Sequence, residues 1–458
     1  MSVVLEQPRY SCALAAQQTV LAIPGAHPII HAGPGCSQKV FSFAAQASGH
    51  QGEGYAGGSN VSCTNSSEQD VVFGGERKLR QAIDGALRVM KGDLFVVMTG
   101  CTADIVGDDS VSLAKEFAGQ GKPVVGAETA GFKGNSYYGH EKVVNAIIEQ
   151  YVGDVPVHKR KGLVNVFSVV PYQDPYWRAD LETLKSLLER IGLEVNILFG
   201  YGSSGTAEWR DIPNAEFNLL VSPWVGLTTV QLLEKKYGTP FLHYPVVPVG
   251  ARETGAFLRT IGACAGIPET RVEAVIRHEE KRFYQYLISL VDFLAEFRNN
   301  LPSELYTVAD SIYGVGISSF LVNEIGFIPR GLYITDGIDE TSGPSGESPY
   351  CGIIRESAVS RDEQFRDILF FEADGGLVQQ DIRKKLNGSK RALFLGSGWE
   401  KFLAQETGNL YGFISLPLPE TIIINKSFLG YDGGLNLVEE VYSNVFKTKT
   451  TTSRIQAG

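Results

Sequence analysis

Short, wholly apolar runs alternate with amphipathic stretches along most of this chain. Leu94-Phe95-Val96-Val97-Met98 carries no polar residue on either face, which predicts a strand buried on both sides. A helix is predicted ahead of it over 76–90, with Leu79, Ile83, Ala86, Leu87 and Met90 on one face. After Thr99-Gly100-Cys101, a helix near 110–118, a strand at 123–127 and a helix at 140–151 continue the alternation. Strands covered on both faces and joined by helices build parallel sheets. Beyond a charged linker at His158–Lys161, further strands are predicted at 164–170, 195–199, 217–221 and 241–244, with helices at 178–191 and up to Tyr237. A long helix over 268–297 leads to a third set of apolar runs at 305–312, 331–334, 367–371 and 392–395, closed by a helix at 435–446. The expected fold class is α/β, with three doubly wound domains in series over 1–160, 161–300 and 301–458. Residues 337–352, rich in Gly, Ser and Pro, predict an exposed loop. In such domains ligands sit outside the carboxyl ends of the strands, which is where Cys101 stands.

Charge and cysteine content narrow the function. The formal net charge of −10, without a basic tract, argues against nucleic acid and anionic membrane as partners. Six cysteines in 458 residues are too sparse for a disulfide scaffold. Met1–Tyr10 lacks the basic and apolar regions of a signal peptide, and no apolar run reaches the roughly 20 residues of a membrane helix. The expectation is a cytoplasmic protein whose cysteines are metal ligands or buried thiols.

Three cysteines stand out: Cys12 in Tyr10-Ser11-Cys12-Ala13, Cys36 in His31-Ala32-Gly33-Pro34-Gly35-Cys36, and Cys101 in Thr99-Gly100-Cys101-Thr102. None belongs to a CxxC pair, so a zinc ribbon or a ferredoxin-type run is excluded. Isolated thiolates gathered by the fold suit an iron–sulfur cluster shared between substructures or chains; the competing reading is a buried free thiol. Gly35 and Gly100 are expected to give the backbone room beside a bulky cluster. Phe73, Gly74 and Gly75 lead into the helix at 76–90, either as a capping turn or as a partner surface. Asp104, Asp108 and Asp109 are read as helix caps rather than cation ligands. Gly314-Val315-Gly316 and Gly396-Ser397-Gly398 are half-matches to dinucleotide loops, and no GxxxxGK[ST] occurs. Cys264, among small residues, is expected in the core; Cys351 falls in the predicted loop; Cys63 is a candidate extra ligand, more simply an ordinary thiol.

Taken in order, these segments resemble the nitrogenase component 1 superfamily: an N-terminal Cys, H-x-G-x-G-C, V-F-G-G, G-C-x5-G-D-D, and a late G-Y-D-G at Gly430-Tyr431-Asp432-Gly433. The resemblance spans the whole chain and implies three Rossmann-like domains. It implies that Cys12, Cys36 and Cys101 hold half of a P-type [8Fe-7S] cluster, completed by a homologous alpha-type subunit in an α2β2 heterotetramer. It also implies transient docking of an ATP-hydrolysing iron protein over Phe73 and Gly74. Ser222-Pro223 stand where an alpha-type subunit carries its cofactor cysteine, and Glu420, with no His nearby, where its histidine falls. A beta-type subunit is therefore implied, with the iron–sulfur active-site cofactor in the partner only and no catalytic residue here. Gly131, in Thr129-Ala130-Gly131-Phe132, replaces a serine that ligates the oxidised cluster in nitrogenase beta subunits. These departures imply a nitrogenase-like branch, with methylthio-alkane reduction as the expected activity. A true nitrogenase beta subunit and a cofactor-assembly scaffold are the alternatives.

Overall fold

The computed structural model describes residues 6–37, 61–338, 348–386 and 391–455, the side chains to 446. Three parallel sheets carry the chain. The first has strands β1 (Ala26–His31), β2 (Ser62–Cys63), β3 (Leu94–Thr99) and β4 (Val124–Ala127), in the order β2-β1-β3-β4. The second has β5 (Arg160–Phe167), β6 (Glu194–Asn196), β7 (Ala215–Leu220) and β8 (Phe241–His243), in the order β6-β5-β7-β8. The third has β9 (Glu304–Ala309), β10 (Ile328–Ile334), β11 (Leu369–Phe371), β12 (Ala392–Gly396) and β13 (Leu410–Phe413), in the order β11-β10-β9-β12-β13. Each sheet grows outward in both directions from its first long strand, so each has a point where strand order reverses: β1/β3, β5/β7 and β9/β12. A crevice opens at such a point, beyond the carboxyl ends of the strands.

The patterning of β3 shows why these residues form this layer. Phe95 and Val97 face one side and pack with Ile29, Leu79, Ile83, Leu113 and Phe117 in an outer cluster. Val96 and Met98 face the other and join an inner core that runs through all three sheets. Register against β1 is unbroken from Ala26↔Leu94 to His31↔Thr99. Complete burial of one such side chain contributes about 1.5–3 kcal/mol, so a slip of one residue in this register is strongly disfavoured.

Several expectations are corrected. The long helix is two, Glu269–Ile288 and Val291–Phe297, and a further helix, Gly250–Cys264, precedes them. The apolar run at 305–312 splits at Asp310, whose carboxylate accepts from Tyr313 N–H and starts the helix Ser311–Phe320. Gly314 and Gly316 lie inside that helix, where Gly316 lets it pack against the Val247 backbone rather than wrap a phosphate. Cys264 is exposed, because it ends its helix beyond the face that Ile261 and Gly262 bury. Cys351 is buried in the helix Pro349–Arg361, which starts inside the predicted loop; residues 339–347 of that loop, like Met1–Leu5, lie outside the described residues. Among the described residues no helix is long and apolar enough to cross a membrane.

Candidate metal centre

Cys36 and Cys101 both follow the carboxyl ends of neighbouring strands of the first sheet. β1 ends at His31 and leads through Ala32 to Cys36; β3 ends at Thr99 and leads through Gly100 to Cys101, which opens the short helix Cys101–Val106. These two strands flank the reversal point of the sheet. Gly100 N–H donates to His31 O at 3.0 Å, and a Cβ on Gly100 would fall 2.6 Å from Ala32 Cβ. Gly100 therefore makes room for Ala32. Among the described residues, no atom beyond its own turn and chain neighbours lies within 4 Å of the corresponding point on Gly35.

Cys12 arrives from the N-terminal segment. It pairs with Asn135 in an isolated bridge, and Ala13 N–H donates to Gly134 O at 3.1 Å. The loop from β4 supplies the third wall. Thr129 fixes it with two buried hydrogen bonds to Thr99, and Gly131 N–H donates to Cys101 Sγ at 3.2 Å. A point one bond out from Gly131 Cα lies 3.3 Å from Cys101 Sγ and 3.4 Å from Cys12 Sγ, so both sulfurs flank one spot. Cys12 and Cys36 are exposed and Cys101 is half-buried. A cavity of about 440 Å³, lined by Tyr10, Ser11, Cys12 and residues 131–135 among others, opens beside them. Among the described residues no three His, Cys, Asp or Glu side chains converge at single-ion distance. The soft donors here are the paired sulfurs of Cys12 and Cys101, with Cys36 on the segment that follows β1; sulfur donors of this kind suit soft metal ions. Cys63, at the end of β2, donates to Ala32 O at 3.4 Å and accepts from Asn65 N–H at 3.3 Å.

One contact set ties three of the motifs together. His31, almost fully buried, hydrogen-bonds Thr64 through Nδ1 at 3.1 Å and Asp108 through Nε2 at 2.8 Å. Both Asp108 oxygens accept from Gly75 N–H at 3.0 Å. Asp109 caps the helix Ser110–Gly119 as expected, accepting from Ser112 N–H, but Asp108 caps the helix Glu76–Val89 through its Gly75 N-cap. Gly74, at φ +85°, turns the chain between that helix and the short helix Glu68–Phe73, which buries none of its residues. Asp70 in this short helix is held below the usual carboxylate range by Ser67 N–H and by Lys78. Val72 and Phe73 are 72% and 85% exposed, and Ile105 beyond Cys101 is 74% exposed.

The equivalent edges of the second and third sheets are filled. Asp174, Asp180, Asp310 and Asp336 are buried there and take donors from Val170 N–H, Tyr313, Ser427, Ser415, Ser311 and Trp224. Burial raises all four carboxyls, Asp180 and Asp336 to about 7; for Asp174 the neighbouring Asp310 charge adds to burial. Ser222 is fully buried, and among the described residues its hydroxyl has no hydrogen-bond partner. Glu420 is paired with Lys401.

Residues 11–446 match the family described as nitrogenase component 1 type oxidoreductase. The chain belongs to that family. Among curated relatives, a nitrogenase molybdenum-iron protein beta chain of Methanococcus maripaludis is 23% identical over 94% of this chain and 92% of its own length. A nitrogenase molybdenum-iron protein alpha chain of Methanosarcina barkeri is 30% identical over 48% of this chain and 41% of its own. One subunit of a light-independent protochlorophyllide reductase from Methylobacterium sp. (strain 4-46) is 22% identical over 78% and 65%. For these last two, the chain spans less than two thirds of the relative's length. Nitrogenase Cp1 at pH 6.5 superposes with a TM-score of 0.77 over 98% of this chain and 94% of its own, at 19% identity, which shows the shared α/β fold. This nitrogenase component 1 relative is thus an oxidoreductase subunit of an iron–sulfur family with alpha and beta chains.

The sequence alone singles out Cys12, Cys36, Cys101 and Phe73. It does not expose the Gly131 amide or the roles of His31 and Asp108, although both of these residues lie inside quoted motifs.

Proposed function

We propose that this chain is the beta-type subunit of a nitrogenase-like, ATP-dependent reductase of the cytoplasm. In this reading Cys12, Cys36 and Cys101 hold one half of a P-type [8Fe-7S] cluster, and a homologous alpha-type subunit holds the other half in an α2β2 assembly. The observation that carries the reading is the pair of sulfurs of Cys12 and Cys101 around Gly131, at the reversal point of the first sheet, with a backbone N–H donating to one of them. When bound, the cluster supplies one-electron transfer chemistry. The chain's own residues supply thiolate anchors, a backbone hydrogen bond, and the exposed Val72–Phe73 surface over which an iron protein docks.

The active-site cofactor belongs to the partner. Ser222 and Glu420 offer no soft ligand where such a cofactor would be held, Ser222 being fully buried and Glu420 paired with Lys401. Reductive cleavage of a methylthio-alkane C–S bond is the substrate reading, carried by Gly131 and the Thr-Gly-Cys-Thr-Ala-Asp form of the third motif. The decisive experiment is anaerobic co-purification with the partner, followed by native mass and iron analysis. A heterotetramer with on the order of eight irons per interface is expected, and Cys36→Ala should lose that iron. An iron-free monomer, or iron unchanged in Cys36→Ala, overturns the reading.

A further inference from the structure

We infer that Gly131 is a positioning residue of the cluster site, and that its bare Cα and its amide together set how Cys12 and Cys101 present their sulfurs. The inference rests on the cluster reading above for its consequence, and on geometry for its substance. A Cβ at this position would fall 3.0 Å from Cys12 Cβ, 3.3 Å from Cys101 Sγ and 3.4 Å from Cys12 Sγ. The first two distances are tighter than ordinary contact and the third is at its edge, so a side chain here requires the two cysteines or the loop to give by a few tenths of an ångström. Backbone conformation does not demand glycine, since Gly131 has no positive φ. Contact with the two thiols is therefore what demands it. The same residue donates its N–H to Cys101 Sγ at 3.2 Å. Its loop cannot drift freely, because Thr129 is bonded twice to Thr99 at the end of β3 and Lys133 N–H donates to Ala130 O at 2.9 Å.

Two consequences follow. The loop after β4 contributes a backbone donor at Gly131 and no side-chain ligand at that position. The N–H···S bond also withdraws charge from the Cys101 sulfur, which raises the reduction potential of a centre bound there.

The test compares wild type, Gly131→Ala, and Gly119→Ala as a control. Gly119 is an exposed helical glycine with nothing near its missing Cβ. The first readout needs no iron. Phenylarsine oxide bridges two close thiols, releasing its oxygen as water with the two thiol protons, and peptide mapping identifies a Cys12–Cys101 bridge. In metal-free full-length chain, the wild type and Gly119→Ala should form this bridge. Gly131→Ala should form it about tenfold more weakly, the effect expected of overpacking. The second readout is the reduction potential and electron paramagnetic spectrum of the loaded assembly, which Gly131→Ala should shift downward and alter while Gly119→Ala matches wild type. Equal bridging and an unchanged spectrum in Gly131→Ala overturn the inference. Weakened bridging in a protein whose wild type takes up no iron overturns the cluster reading and leaves the positioning role intact.

Discussion

Replacing Asp108 by alanine removes the one group that meets both Gly75 N–H and His31 Nε2. Gly75 and His31 are both buried, so neither gains water in exchange. A buried polar group stripped of its partner costs about 1–3 kcal/mol, and loss of Asp108 strips two of them, Gly75 N–H and His31 Nε2. The expected local destabilisation is therefore about 3 kcal/mol, close to a hundredfold in an opening equilibrium. Hydrogen exchange resolved by mass spectrometry reads this directly. Amides at the start of the helix Glu76–Val89 should exchange about a hundredfold faster in Asp108→Ala, while those of β12, in the third sheet, should not change. Asp108→Asn keeps an acceptor oxygen for Gly75 and loses the charge, so it should fall between the two. Exchange at Gly75 and Glu76 within twofold of wild type in Asp108→Ala would refute the reasoning, because the contact would then carry none of the energy assigned to it.

The four buried aspartates predict an inverted pH response. Their carboxyls hold protons more tightly in the folded chain than in the unfolded one, so the stability they contribute is full below about pH 4 and is lost as pH rises through about 7 for Asp180 and Asp336. Asp174→Asn keeps an oxygen to accept from Val170 N–H and removes one ionisation. It should raise the urea midpoint at pH 7.5 and leave the midpoint at pH 4.5 close to wild type; a variant equally destabilised at both values contradicts this. At the surface, Phe73→Ala removes an 85% exposed ring. Stability should stay within about 0.5 kcal/mol and iron content should not change, yet turnover driven by an iron protein should fall at least about tenfold. Unimpaired turnover rules out docking over this residue.

What the sequence made legible follows from how local each signal is. β3 and the helix Glu76–Val89 are plain because burial on two faces, or on one stripe, is written in consecutive residues. The helix Gly250–Cys264 is not, because Gly250, Gly255 and Gly262 lower its propensity and its stability comes from packing on Val272, Ile276 and Phe320. The cysteine set was readable as residue types in motifs, whereas the convergence of Cys12 and Cys101 on Gly131 depends on a loop thirty residues past Cys101. A backbone donor has no side chain to announce it. The buried aspartates were invisible for a different reason: Asp180 is satisfied by Tyr313 and Ser427, residues that come from other parts of the chain.

Arg9 stands three residues before Cys12 and is buried: both terminal nitrogens reach Glu400, at 2.8 and 2.7 Å, and one also reaches Ser397. Those two residues form the capping box of a helix in the third sheet's layer, and Asn135, the bridge partner of Cys12, donates to the Asp336 carbonyl at 2.8 Å. The segment that delivers the first thiol is thus fastened at both ends to residues more than two hundred positions away in the chain. A fragment cut after the first sheet would keep Cys36 and Cys101 on their strand ends yet lose the anchorage of Cys12. The placement of Cys12 therefore cannot be borrowed with the first sheet as a module, and a truncation in the third layer, far from Cys12 in the chain, is enough to release it.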